Sequence, residues 1–99
     1  MIKLLMSWDI EPGKESAYME FVTREFTPQL MKLGIQPTEA WYTVIGNGPQ
    51  VLAGGITEDR ETMMRILESQ EWEGLEKKLL GYVRNYRYKV VPATGQFQL

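Results

Sequence analysis

The residues in this chain that could do chemistry are few. His and Cys are both absent. That removes an imidazole base, a thiolate nucleophile, a zinc finger and a histidine-ligated heme. Soft and borderline metals lose their usual ligands, and no carboxylate spacing resembles a calcium loop. The chain is therefore expected to bind no metal, heme or other cofactor. Acids and aromatics remain. Asp9 lies near the C-terminal end of a run of alternating residues, on its mixed face. Its carboxyl would serve as a general base if burial raised its pKa. In the plainer reading it ends a strand and accepts hydrogen bonds from backbone amides.

Trp8, Trp41 and Trp72 fall on three different elements and could converge on one aromatic ligand. With Met6, Tyr18 and Val22 they form the candidate lining of a small apolar cavity. The chain has six Met residues, which suit an adaptable apolar wall. Packing in an ordinary core is the competing reading for each of them. Arg84, Arg87 and Lys89 interleave with Tyr82, Tyr86 and Tyr88, a pattern compatible with nucleic acid. The formal charge of -2, from 11 basic and 13 acidic residues, argues against such a partner. Strand alternation explains the pattern instead: Tyr86, Tyr88 and Val90 inward, Arg87 and Lys89 outward. Charges on such a strand discourage aggregation. Gly46-Asn47-Gly48 lacks the lysine and following helix of a phosphate loop.

Single elements must hold these residues in place, and the chain of 99 residues makes one domain spanning 1–99. Ile2, Leu4, Met6, Trp8 and Ile10 alternate with Lys3, Leu5, Ser7 and Asp9, which is a strand. Glu11-Pro12-Gly13 ends it. From Lys14 the period changes, with Tyr18, Phe21, Val22, Phe26, Leu30 and Leu33 making a helical stripe. Pro28 predicts a kink, or a second short helix capped by Thr27. Gly34 predicts a left-handed cap. Ala40–Ile45 reads as a second strand and Val51–Ile56 as a third, joined by a hairpin at Asn47-Gly48. Thr57 is expected to open the next helix, and Ser69 to cap its continuation through Trp72, Leu75, Leu79 and Val83. Tyr86–Val91 reads as the last strand, before a tail from Ala93 to Leu99.

The order β-α-β-β-α-β predicts an α+β, ferredoxin-like plait with strand order 4-1-3-2, antiparallel throughout. Leu5 opposite Met6 places apolar residues on both faces of the first strand. Helices cover one face of a sheet, so the other face is expected to meet a second copy. No apolar run approaches the ~20 residues of a membrane span. Asp9 and Glu11 come too early for a signal peptide, which makes the cytoplasm the expected location.

The chain resembles the dimeric α/β-barrel superfamily, which includes antibiotic-biosynthesis-monooxygenase-like, NIPSNAP-like and stress-responsive barrel domains. The matching features are the first strand running into Glu11-Pro12-Gly13-Lys14-Glu15 and the helix ending at Leu33-Gly34. Gly46-Asn47-Gly48 and the step from Ser69 through Glu71-Trp72 to Leu75 match as well. The resemblance implies a four-stranded antiparallel sheet that packs on its twin to form a dimeric barrel. It also implies a small cavity in each protomer. Relatives of this kind include cofactor-independent oxygenases, heme-degrading enzymes, isomerases and domains of no known activity. The implied function is small-molecule binding, with cofactor-independent oxidation or isomerisation of a small aromatic or polyketide-like compound as its catalytic form. The alternative is a non-catalytic dimerisation or ligand-sensing module.

Overall fold

The computed structural model describes residues 1–42 and 49–93. Strand β1, Ile2–Ile10, converts its alternating sequence into alternating burial. Leu4, Met6, Trp8 and Ile10 are buried, whereas Lys3, Leu5, Ser7 and Asp9 are only half-buried. Strands β2 (Gln36–Tyr42), β3 (Val51–Thr57) and β4 (Val83–Pro92) complete the sheet. The order is β2-β3-β1-β4, with every pairing antiparallel, as the plait requires.

The strand limits differ from the sequence reading. β2 begins four residues earlier than Ala40, because an edge strand tolerates Pro37. The register slips between Pro37 and Glu39, so Thr38 forms a bulge. β4 begins at Val83 rather than Tyr86. It absorbs one extra residue opposite Ser7 and Asp9, where Asn85 takes a left-handed φ of 57°. Asn is among the few residues that accept this conformation readily. The Asn47-Gly48 hairpin and the tail carrying Phe97 and Leu99 lie outside the described residues.

Helix α1 spans Glu15–Phe21 and α2 spans Thr27–Leu33. Between them Val22–Phe26 is one π-helical turn, and the backbone stays helical throughout. Thr27 therefore caps nothing; the residue before it is already helical. Proline removes the bond to the carbonyl four residues back and crowds it. For Pro28 that carbonyl belongs to Arg24, inside the widened turn. A π turn is one way a helix absorbs such a defect without breaking. Gly34 ends α2 at φ 107°, as expected.

Helix α3 covers Arg60–Leu67 and α4 covers Gln70–Leu80. The α3 cap is Asp59, whose carboxylate accepts from the Thr62 amide at 2.8 Å. Thr57 instead ends β3 and donates its hydroxyl to the Asp59 carbonyl. Ser69 caps α4, accepting from the Trp72 amide at 3.2 Å. The helices lie on one face of the sheet. Their buried Tyr18, Phe21, Phe26, Leu30, Met63, Ile66, Trp72, Leu75 and Leu79 form one core with Leu4, Met6, Trp8 and Ile10. No helix among the described residues is long and apolar enough to cross a membrane.

Candidate functional site

The inner face holds most of the residues that the sequence marks for a ligand. Met6, Trp8, Tyr18 and Trp72 are at most 3% exposed, and Val22 is partly buried against them. Trp8 and Tyr18 are joined directly: the indole Nε1–H donates to the Tyr18 hydroxyl at 2.9 Å. A buried indole needs such an acceptor. The Trp8 ring also meets Phe26 edge-on at 6.1 Å and Tyr86 at 6.2 Å. Trp41 is placed on β2 by its backbone, opposite Leu52; its side chain lies outside the described part.

Asp9 stands where β1, β4 and the start of β3 meet. Its two oxygens accept from the Asn85 side chain at 2.8 Å and from the Gln50 amide at 2.9 Å. The Asn85 bond, then the Gln50 bond, hold its pKa below the ordinary carboxylate value, and nearby Arg84 adds to this. Burial works the other way but is outweighed. A general base would need the opposite shift. Asp9 clasps the bulge of β4 to the chain entering β3.

Tyr86 belongs to the same aromatic group. Its hydroxyl donates to Glu76 Oε2 on α4 at 2.7 Å. Burial, followed by that bond, raises its pKa far above the ordinary tyrosine value. Tyr88 shares the inner side but is 46% exposed, because β4 is the sheet edge and the helical cover stops short of it.

Among the described residues no helix lies on the other face of the sheet. Register places Lys3, Leu5, Ser7 and Asp9 there from β1, with Leu52, Gly54 and Ile56 from β3 and Arg87, Lys89 and Val91 from β4. Leu5, Leu52, Ile56 and Val91 are half-exposed. Around Leu5, Ser7, Leu52, Arg87 and Lys89 the surface is concave, a groove of about 430 Å³. Among the described residues no cluster of His, Cys, Asp or Glu could hold a metal ion.

No family model matches the sequence, and no curated protein matches it. Solved structures do. A NIPSNAP domain protein from Burkholderia xenovorans superposes with a TM-score of 0.70 at 14% identity, over 99% of this chain and 100% of that one. A putative antibiotic biosynthesis monooxygenase from Nitrosomonas europaea gives 0.66 at 9% identity, over 94% and 98%. The fold is that of the NIPSNAP and antibiotic-biosynthesis-monooxygenase-like proteins. HapK from Hahella chejuensis shares it at 0.77 and 10% identity, over 100% of this chain and 98% of that one. On this NIPSNAP-like frame the groove is a site that the sequence reading does not reach. Its signals are Leu5 opposite Met6 and the outward Arg87 and Lys89. Taken singly, the first points to dimer contact and the second to aggregation defence; only strand pairing joins them.

Proposed function

We propose that the chain is a homodimeric small-molecule-binding protein, two copies meeting through the outer faces of their sheets and enclosing a small apolar or aromatic ligand. The observation that carries this reading is the half-exposed stripe of Leu5, Leu52, Ile56 and Val91 on a face that no helix among the described residues covers. Apolar surface left in water is costly by roughly 25 cal/mol per Å², and an antiparallel sheet apolar on both sides calls for cover on both. The shared fold supports the reading, since the neighbours include a NIPSNAP domain protein and a monooxygenase-like protein.

Binding fits better than catalysis. Asp9, the acid singled out as a base, is occupied by two hydrogen bonds and its pKa is lowered. Trp8, Tyr18 and Trp72 are already packed, so a ligand among them would have to displace rings. The test has two parts. Sedimentation equilibrium should give a dimer for the native chain and a monomer for Leu5→Glu; a native monomer at tens of micromolar overturns the dimer. Small phenols and quinols should quench Trp fluorescence while oxygen uptake stays at the buffer level. Uptake above that level, lost in Asp9→Asn, would make the protein an oxygenase.

A further inference from the structure

The outer face carries an uneven charge. Lys3, Arg84, Arg87 and Lys89 stand on it, against Glu39 and Asp9. Lys3 is paired with Glu39. Arg84 lies beside Asp9 and contributes to its lowered pKa. Arg87 and Lys89 have no described carboxylate against them. The chain as a whole is acidic, at -2, and among the described residues its other acids lie on the turns and helices. A pair of cations with no counter-charge among the described residues is thus a local departure from the composition.

Arg87 and Lys89 are two positions apart on one strand, so both side chains leave the same face about 7 Å apart. They flank a groove floored by Leu5 and Leu52, with the Ser7 hydroxyl opposite Arg87. Its volume of about 430 Å³ falls in the range that holds small organic ligands. A guanidinium recognises a planar oxyanion through two parallel hydrogen bonds, and an ammonium adds a point charge. Leu5 and Leu52 give the floor surface for an apolar body, and the Ser7 hydroxyl is a further polar group on the side of Arg87.

We propose that this groove binds an amphipathic organic anion: a carboxylate or similar oxyanion held by Arg87 and Lys89, with its flat or aliphatic body over Leu5 and Leu52. The inference rests on the reading above in taking the protein as a binder, and names the ligand class and the place. In the two-fold dimer, each face would bring its own Arg87 and Lys89 toward the other. Bound anions would offset a repulsion that bare faces leave standing.

Three ligands of matched shape test it: naphthoate, naphthylmethanol and naphthylmethylammonium. Calorimetry on the full chain should show naphthoate binding roughly tenfold or more tightly than the other two, the difference expected of one charge-assisted hydrogen bond. Methyl NMR should place it at Leu5 and Leu52. Arg87→Gln with Lys89→Gln should abolish the preference, and Arg87→Lys should keep most of it. Equal affinity for all three, no naphthoate binding, or unchanged binding in the double variant overturns the proposal. Shifts at Trp8 and Trp72 in place of Leu5 and Leu52 overturn it too. Sedimentation of the same samples keeps the two readings apart. A monomer that binds naphthoate through Arg87 and Lys89 defeats the dimer and upholds the groove. A dimer indifferent to naphthoate does the reverse.

Discussion

Lys3 and Glu39 form an ion pair although their strands are not neighbours. Lys3 is on β1 and Glu39 on β2, and β3 runs between them. The pair crosses β3 above Gly54, the residue opposite both Leu5 and Glu39. A Cβ at position 54 would stand 2.6 Å from Glu39 Oε1 and 3.2 Å from the Thr38 hydroxyl. The missing side chain is therefore the passage for the pair. Glu39 Oε1 is buried, and the Lys3 ammonium is the charge set against it.

Gly54 and Gly55 should consequently respond differently to alanine. At 54 the obstructing atoms end flexible side chains, so Glu39 can swing away from Lys3. A partly exposed pair of this kind contributes up to about 1 kcal/mol, and Gly54→Ala should cost about that much. At 55 the new methyl would meet Cγ2 of Ile35, which is fully buried, and the Gln36 carbonyl at 3.3 Å. Overpacking a filled core costs about 1–3 kcal/mol. Urea denaturation of both variants checks the order; an equally mild loss in Gly55→Ala would show that Ile35 can move.

Trp8 and Tyr18 give a second case. Tyr18→Phe keeps the ring and removes the acceptor of the Trp8 indole. A buried donor left without a partner costs about 1–3 kcal/mol. The same equilibrium unfolding should show a loss of that order, with Trp8→Phe in the Tyr18→Phe background adding less than it does alone. Additive losses in the double-mutant cycle would mean that the two residues are not coupled.

The alternation of β1 makes both faces of the sheet legible in the sequence, and the β-α-β-β-α-β order then leaves little freedom in strand arrangement. The capping residues are partly legible. Ser69 stands out because an apolar stripe follows it. Asp59 is hidden by Thr57, which has similar chemistry two residues earlier. The start of β2 is hidden because Pro37 reads as a breaker, and nothing in the local pattern marks an edge strand. The π turn is invisible for a related reason: Val22–Phe26 keeps helical spacing, and only Pro28 hints at trouble. The groove depends on β1, β3 and β4 lying side by side, so Ser7, Leu52 and Arg87 become neighbours only through long-range pairing.

Asp9 predicts an acid-side dependence. Its folded pKa lies below the ordinary 3.8, through Asn85 first and Gln50 second. In the window below 3.8 the unfolded chain binds the proton more readily, so stability rises with pH there. Asp9 thus contributes stability at neutral pH, and this is lost as pH falls through the lowered value. Asp9→Asn should be less stable than the native chain near neutrality and approach it as pH falls below 3.8. Denaturation midpoints across this range check it. A constant gap at every pH would show that Asp9 acts through shape rather than charge.

Tyr86 predicts the opposite side of the pH scale. Burial, then the bond to Glu76, and then the charge of Glu76 raise its pKa above the ordinary 10.0. The phenol stays protonated in the fold at a pH where the unfolded chain has begun to release the proton. Unfolding is then favoured by loss of a proton, so the stability tied to Tyr86 is complete below about pH 10 and declines above it. Tyr86→Phe cannot ionise and should lose less stability than the native chain between about pH 10 and pH 11.5. The absorbance titration of the five tyrosines should contain a late step that appears only together with the unfolding transition, and the difference between the native chain and Tyr86→Phe should isolate the share of that step owed to Tyr86. Glu76→Gln keeps the ring buried but removes the carboxylate charge, so its late step should move to lower pH without disappearing. If all tyrosines of the folded native chain titrate together near the ordinary value, the Tyr86–Glu76 bond does not hold the phenol in solution.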